Sequence, residues 1–223
     1  MAKSKILKEL ANNEISIDVA LKRLLIICND LDYADIYKWA EKELNGYNSD
    51  DPVPEYRNLG MGQLKYCGLK GTMFSHLKLT NQPLPIQWIP KQFFDLVTVD
   101  YTHETILSII EKAESKQQFI QDYTWMIPYI NVGIGFTSII KHTDYTRYSE
   151  IVNKISSILL KIFIKLDKEY GNLDELDIDL SKKDKERIKE FEKTLKVEIG
   201  KINFVNIGDQ NTINKSNIGD ESE

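Results

Sequence analysis

The chain has 223 residues, enough for one large domain or for a domain with an appendage. Hydrophobic residues make up 42% of it, which suffices for a substantial core, and the net charge of −5 argues against nucleic acid and anionic membranes as partners. The two cysteines, Cys28 and Cys67, form no CxxC pair, which disfavours a disulfide framework and a structural zinc site.

The first 46 residues predict a compact unit of helices. Residues 4–11 can form a short helix, and Ser16 is a candidate N-cap for a second helix, which Asn29 and Asp30 end. A third apolar stripe at helical spacing ends at Asn45-Gly46, where glycine permits a left-handed cap.

The middle of the chain is predicted to be rich in strands and turns. Five of the six prolines and several glycines lie within residues 47–99, and they separate short apolar runs. A helix is predicted near residues 106–113. The stretch 124–140 is apolar and β-branched, contains Pro128, and is interpreted as extended.

The strongest periodic signal lies at residues 148–170. Apolar residues recur there every three or four positions, which predicts a long amphipathic helix that ends at Gly171 and forms a central part of the core. Lysines within the same segment argue against a membrane span. With no signal-peptide pattern at the N-terminus either, the sequence predicts a cytoplasmic protein without a membrane partner.

Another helix, which carries a narrow apolar stripe, is predicted near the C-terminus. An acidic linker at 172–180 and a capping box at Ser181–Asp184 precede it. Its stripe repeats about every three and a half residues, the spacing of coiled coils, over two to three heptads. The stripe consists of Ile188, Phe191, Leu195 and Ile199.

The last residues contain an exact repeat. Asn206-Ile207-Gly208-Asp209 returns as Asn217-Ile218-Gly219-Asp220, with Ile213 between the two copies. Two units are too few for a stable β-solenoid in one chain, so several chains would have to supply the missing units. The sequence therefore predicts a homo-oligomer, with a trimer as one arrangement, held by residues 181–220. A disordered polar tail and a tail folded back as an edge strand remain alternatives.

Four residues around the Gly46 turn are candidates for a ligand site. Tyr47, Tyr56 and Arg57 lie near Glu43 in the sequence, and Arg57 could bind an anion or a nucleotide in a pocket lined by the tyrosines. The favoured interpretation is structural: Arg57 forms a salt bridge to the Glu41–Glu43 end of the third helix, and the tyrosines pack.

No catalytic residue and no metal site is predicted. His103-Glu104 is the only directly adjacent histidine–carboxylate pair, but neighbouring residues on a helix do not face each other. His142 and Asp144 would share a face only in a strand. These histidines are therefore interpreted as ordinary surface residues, and no cofactor is predicted.

The stretch Trp39–Tyr47 reads Trp-Ala-Glu-Lys-Glu-Leu-Asn-Gly-Tyr. With several other segments between residues 5 and 171, it resembles the AbiTii family of bacterial abortive-infection proteins, and this stretch is the most specific part of the resemblance. The resemblance implies a role in phage defence, including that of a toxic effector, but it assigns no activity to particular residues. The other matching segments are Leu24-Leu25, Leu31, Pro54–Arg57, Pro83–Ile86 and Ile151–Leu166.

Together these patterns predict an α+β protein. A mainly helical domain at 1–172 contains a short-stranded β insertion at about 47–99, followed by a linker and helix at 173–202 and a repeat tail at 203–223. The expected function is an oligomeric effector or interaction module of antiphage defence, with a defence-system protein or a phage trigger as its partner. The alternative is a nuclease or nucleotide-acting toxin with its site near Arg57.

Overall fold

The computed structural model describes residues 4–60, 62–72, 75–94, 97, 100–171, 173–174, 185–200 and 204–205. The predicted capping box at Ser181–Asp184 and the repeat with Ile207, Ile213 and Ile218 lie outside these residues. The helices are α1 Lys5–Ala11, α2 Ile17–Asp30, α3 Ala34–Asn45, α4 Ile106–Ser115, α5 Tyr145–Tyr170 and α6 Lys185–Gly200. The strands are β1 Val53–Pro54, β2 Gln63–Thr72, β3 Ser75–Pro83, β4 Phe119–Asp122, β5 Gly135–Thr143 and β6 Phe204–Val205.

The main hydrophobic core forms around α5, as the sequence predicted. Its stripe of isoleucines and leucines is fully or almost fully buried, and α1, α2, α3, α4 and α6 all contribute side chains to the same core. Helix α5 ends where Gly171 takes a φ of 84°, a conformation that costs glycine little. The predicted long central helix is therefore confirmed.

A four-stranded antiparallel sheet forms the second part of the molecule. Its strand order is β3-β2-β5-β4, and it has a core of its own that includes Tyr66, Met126 and Ile139. The α+β fold class is confirmed. The predicted insertion at 47–99 supplies only the β2–β3 hairpin of this sheet, and its two strands, at ten and nine residues, are longer than predicted.

The prediction of one extended stretch over 124–140 is wrong in its first part. Thr124–Tyr129 form a 3-10 helix, and the strand β5 begins only at Gly135. The Asp122 side chain accepts a hydrogen bond of 2.8 Å from the Thr124 backbone N–H, which starts the turn, and Pro128 has no N–H to donate to a neighbouring strand.

Helix α6 packs against its own chain. Leu195 is fully buried in the main core, Ile188 and Phe191 are partly buried against it, and Phe191 packs edge-to-face with Tyr170 at a ring separation of 5.7 Å. The described part of the tail folds back as well, since β6 pairs with β1. The side chain of Ile199 lies outside the described residues. Oligomerisation through α6 or the tail, and the domain boundaries near 172 and 202, stay predictions.

Candidate functional site

Arg57 lies in the interior, where the favoured sequence interpretation placed it. It ends a 3-10 turn, Glu55–Arg57, that brings its side chain under the C-terminal end of α3. Its Nη2 is 2.9 Å and its Nε 3.2 Å from Oε2 of Glu43, and both side chains are fully buried. The predicted salt bridge is confirmed as a buried, charge-assisted pair in which two N–H groups of the guanidinium donate to one carboxylate oxygen.

The two predicted tyrosines complete this pair. Tyr47 donates a hydrogen bond of 2.6 Å to Oε1 of Glu43, Tyr56 donates to the same oxygen, and Trp39 donates to the Tyr56 hydroxyl at 3.0 Å. Burial, followed by the nearby charge of Glu43, raises the pKa of Tyr47 and of Tyr56. Glu43, Tyr47, Tyr56 and Arg57, here called the Arg57 cluster, thus converge as predicted, but they bind one another.

The Arg57 cluster also holds a neighbouring segment in place. Arg57 Nη1 donates to the carbonyl of Glu104 at 2.6 Å and to that of Thr102 at 3.5 Å. The Tyr47 backbone N–H donates to the carbonyl of His103 at 2.9 Å. Residues 102–104 are therefore held through their backbone carbonyls, and within the segment the Thr102 hydroxyl accepts a hydrogen bond of 3.3 Å from the Glu104 backbone N–H.

Side chains of this segment line a pocket of about 320 Å³. Asp100, His103 and Glu104 line it together with residues of α4, β4 and α5, and Leu59 and the β5 residue Thr143 also contribute. We call this cavity the 100–104 pocket. It lies next to the Arg57 cluster, where the sequence analysis kept a ligand site as the alternative, but it is lined by different side chains.

The charges in the 100–104 pocket are largely paired. Lys112 forms an ion pair with Glu104, and its ammonium lies 5.6 Å and 5.7 Å from the ring centres of Phe119 and Tyr148. Burial lowers the pKa of Lys112. The fully buried Lys141 forms an ion pair with Asp100, with its Nζ 3.3 Å from Oδ2. The pocket is therefore polar, yet close to neutral.

Two polar atoms at this pocket are buried without a hydrogen-bond partner. Within the described part of the chain, His103 Nδ1 and Glu104 Oε2 have none. His103 is half-buried, so it is a surface residue only in part. The sequence analysis placed His103 and Glu104 on a helix, whereas α4 begins only at Ile106. The Thr105 side chain caps α4 by accepting a hydrogen bond from the Ser108 backbone N–H. A threonine at this position is the sequence signal that places the start of the helix after His103 and Glu104.

The described residues contain no group of three or more His, Cys, Asp or Glu side chains placed to hold a metal ion. His142 lies on β5, with Nδ1 3.0 Å from the Gln118 side-chain oxygen. The four groups of the Arg57 cluster already use their charges and donors internally, which leaves the 100–104 pocket as the place where the region could bind a small molecule.

The β2–β3 hairpin is exposed along β3 and along the outer part of β2. Its pairing with β5 reaches only Leu69, so the remainder extends beyond the sheet as two strands. Strand β3 is exposed on both faces along nearly its whole length, and Leu77 is 63% exposed. The sequence from 56 to 94 contains lysines at 65, 70, 78 and 91 but no aspartate or glutamate, although the whole chain carries a net charge of −5.

Comparison with known proteins agrees with the resemblance seen in the sequence. No curated protein and no solved structure matches the chain. Among the described helices, none combines the length and the apolar character needed to cross a bilayer. The AbiTii family model matches residues 4–191, a span that includes the Arg57 cluster, the 100–104 pocket and the hairpin. The chain belongs to the AbiTii family of abortive-infection proteins.

Proposed function

We propose that this protein is an antiphage effector that acts by binding a partner protein, and that the β2–β3 hairpin is its contact surface. Membership of the AbiTii family supports the defence role. The observation that carries the binding role is the exposure of β3 on both faces at the edge of the sheet.

An exposed edge strand is a suitable site for adding a strand from a partner. Proteins usually protect such edges because their free backbone groups promote association. Here the outer side of β3 has no strand beside it among the described residues, and two leucines, Leu69 and Leu77, are 41% and 63% exposed. The hairpin thus offers both backbone groups and apolar contacts.

The charge of the hairpin defines the partner further. Lys65, Lys70 and Lys78 lie on β2 and β3, which contain no acidic residue. Opposite charges across an interface favour association and exclude wrong partners. We therefore propose a partner with an acidic surface beside an exposed strand edge, either a component of the same defence system or a phage protein that triggers it.

The proposal is tested by phage challenge of cells that produce the protein. Leu77→Asp places a charge in the proposed contact, and truncated or charged contact residues weaken partner binding by about tenfold or more. We expect this variant to lose protection, measured as plating efficiency, while it melts at the wild-type temperature. Leu107→Asp is the matched control, since Leu107 is 56% exposed on α4, away from the hairpin.

Two outcomes would contradict the proposal. If both Leu77→Asp and Leu107→Asp keep full protection, the hairpin is not the contact surface. If both variants lose protection at unchanged stability, the effect is not specific to the hairpin, and the proposal is overturned as well.

Self-association through the tail is part of the same proposal. Because Leu195 is buried in its own chain, the α6 stripe already has a packing partner. We propose that copies meet through the isoleucines of the repeat, Ile207, Ile213 and Ile218, and present several hairpins at once. Several weak contacts would then act together, which raises the overall affinity.

A second candidate function is the nucleotide-acting enzyme with a site near Arg57. The observation that favours it is the 100–104 pocket, in which His103, Glu104 and Lys112 bring together groups able to transfer protons. A His103→Asn variant separates the two functions. Loss of toxicity in this variant, together with full toxicity in Leu77→Asp, would favour catalysis over partner binding.

A further inference from the structure

We infer that the edge of β3 selects a partner segment in which apolar residues alternate with acidic residues along an extended strand. This inference rests on the proposed role of the hairpin as a contact surface, and it specifies the kind of sequence that this surface accepts. Three observations carry it: the open side of β3, the different side chains on its two faces, and the charge of Lys78.

The first observation is a short, regular strand edge. Among the described strands β3 has a neighbour on one side only, so every second residue directs its backbone N–H and C=O groups away from the sheet. The pairing with β2 is regular from Ser75 to Leu79 and becomes irregular just after it, where Asn81 has a φ of 49°. An edge of this length suits one short extended segment of a partner.

The second observation is that the two faces of this edge differ. Leu77 and Leu79 share one face, because side chains two residues apart in a strand point the same way, and Leu79 packs against the core of the sheet. His76 and Lys78 lie on the opposite face and are both exposed. Neighbouring strands bring side chains of the same face together. An added strand therefore places alternate residues beside the leucines and the residues between them beside His76 and Lys78.

The third observation is that the charge of Lys78 is available to a partner. Lys78 is exposed, and no carboxylate of the described residues forms an ion pair with it. Its direct neighbour on β2 is the apolar Leu69. Opposite charges on adjacent strands stabilise their pairing, whereas like charges destabilise it. A second copy of β3 contains no acidic residue, so it lacks the charge that this position favours.

The test is fluorescence anisotropy of labelled peptides of about eight residues, titrated with the full chain. We expect a peptide in which isoleucine alternates with glutamate to bind saturably. A peptide that alternates isoleucine with lysine should bind about tenfold more weakly or worse. The same isoleucines and glutamates arranged in two blocks should also bind poorly, because a strand that lacks the alternation cannot match both faces at once.

Methylation of the peptide backbone tests strand addition itself. In an extended strand, alternate residues direct their N–H groups to opposite edges. Two versions of the isoleucine–glutamate peptide, one with N-methyl groups on the isoleucines and one with them on the glutamates, should therefore differ. One version should lose binding because its pairing edge is blocked, and the other should retain it.

A charge reversal at Lys78 locates the ligand on β3. Lys78→Glu should reverse the preference, so that the variant binds the isoleucine–lysine peptide and binds the isoleucine–glutamate peptide about tenfold more weakly than the wild type does. A variant with a merely disturbed hairpin would lose both peptides. Lys154→Glu is the matched control, since Lys154 is exposed on α5, outside the sheet, and this variant should keep the wild-type preference.

Three results would overturn the inference: no binding of the isoleucine–glutamate peptide up to about 1 mM, equal binding of both N-methylated versions, or an unchanged preference in Lys78→Glu. Self-association that Leu77→Asp abolishes, without any peptide binding, would assign the edge to a second copy and overturn it as well. If the peptide binds as expected while Leu77→Asp cells keep full protection, the proposed function fails and the edge selectivity stands. If no peptide binds while Leu77→Asp cells lose protection, the contact surface stands and its selectivity for this strand fails.

Discussion

At the scale of single residues, Glu43 is the acceptor at the centre of the Arg57 cluster. Its carboxylate accepts from Arg57, Tyr47 and Tyr56 in a site closed to solvent. A buried carboxylate is tolerable only when its charge and its lone pairs are matched, because leaving water costs several kcal/mol per ion. The Arg57 cluster satisfies this condition, and it also fixes the backbone of residues 102–104.

The buried pair predicts a large effect of removing one partner. Arg57→Met leaves the Glu43 charge uncompensated, and we expect a loss of about 3–5 kcal/mol in the free energy of unfolding, measured by urea denaturation. The double variant Arg57→Met with Glu43→Gln should lose less than the single one. Lys22→Ala, whose pair with Asp18 is exposed, should cost below about 1 kcal/mol. An Arg57→Met variant as stable as the wild type would contradict the structural role.

Gly46 provides a second prediction at this scale. It has a φ of 87°, and an added Cβ would lie 2.6 Å from the carbonyl oxygen of His103. Gly171 has a φ of 84° but open space around the added atom. In both alanine variants the positive φ costs about 1 kcal/mol of stability. We expect Gly46→Ala to lose more stability than Gly171→Ala, and the difference measures the cost of the close contact with His103. Equal melting temperatures of the two variants would show that the segment at His103 yields without cost.

At the scale of elements, α5 connects the other helices of the main core. Residues Ile155 and Leu159 are fully buried, whereas Ile164 on the same helix is 43% exposed. Ile155→Asp or Leu159→Asp should unfold the domain, because an unpaired buried carboxylate costs several kcal/mol against a total stability of roughly 5–15 kcal/mol.

The control for this prediction is Ile164→Asp, which should unfold cooperatively near the wild-type temperature. Circular dichroism during thermal unfolding measures all three variants. Soluble, cooperatively folded Ile155→Asp and Leu159→Asp proteins would show that the stripe is an exposed interface instead of a core.

At the scale of the whole molecule, the open question is self-association. The tail begins with β6, which pairs with β1 of its own chain, and the repeat follows after it. This pairing agrees with the fold-back alternative for residues 204–205. The oligomer prediction now depends on the isoleucines of the repeat, since Leu195 is already buried.

Light scattering at micromolar concentration tests that prediction. We expect the full chain to be an oligomer and a chain ending after Val205, which keeps β6, to be a monomer. A chain ending near Asn203 shows whether β6 contributes stability of its own. A monomeric full chain, or an oligomer that survives the truncation, would contradict association through the repeat.

By itself, the sequence determined the helices, the α+β class and the family of this protein. Helical periodicity at 148–170, the glycines at 46 and 171, and the Trp39–Tyr47 stretch are local signals, since each depends on residues close together in the chain. The Arg57–Glu43 pair was also predictable, because fourteen residues and one turn separate its partners. None of these features depends on contacts between residues that are far apart in the sequence.

Only the tertiary structure decided which segments meet. Strand β2 pairs with β5 across about seventy residues of chain, and no local pattern selects that partner. The 100–104 pocket arises because Arg57 and Tyr47 hold a backbone segment whose side chains then face α4 and α5. A cavity of this kind is invisible to sequence periodicity, because its lining depends on residues that only folding brings together.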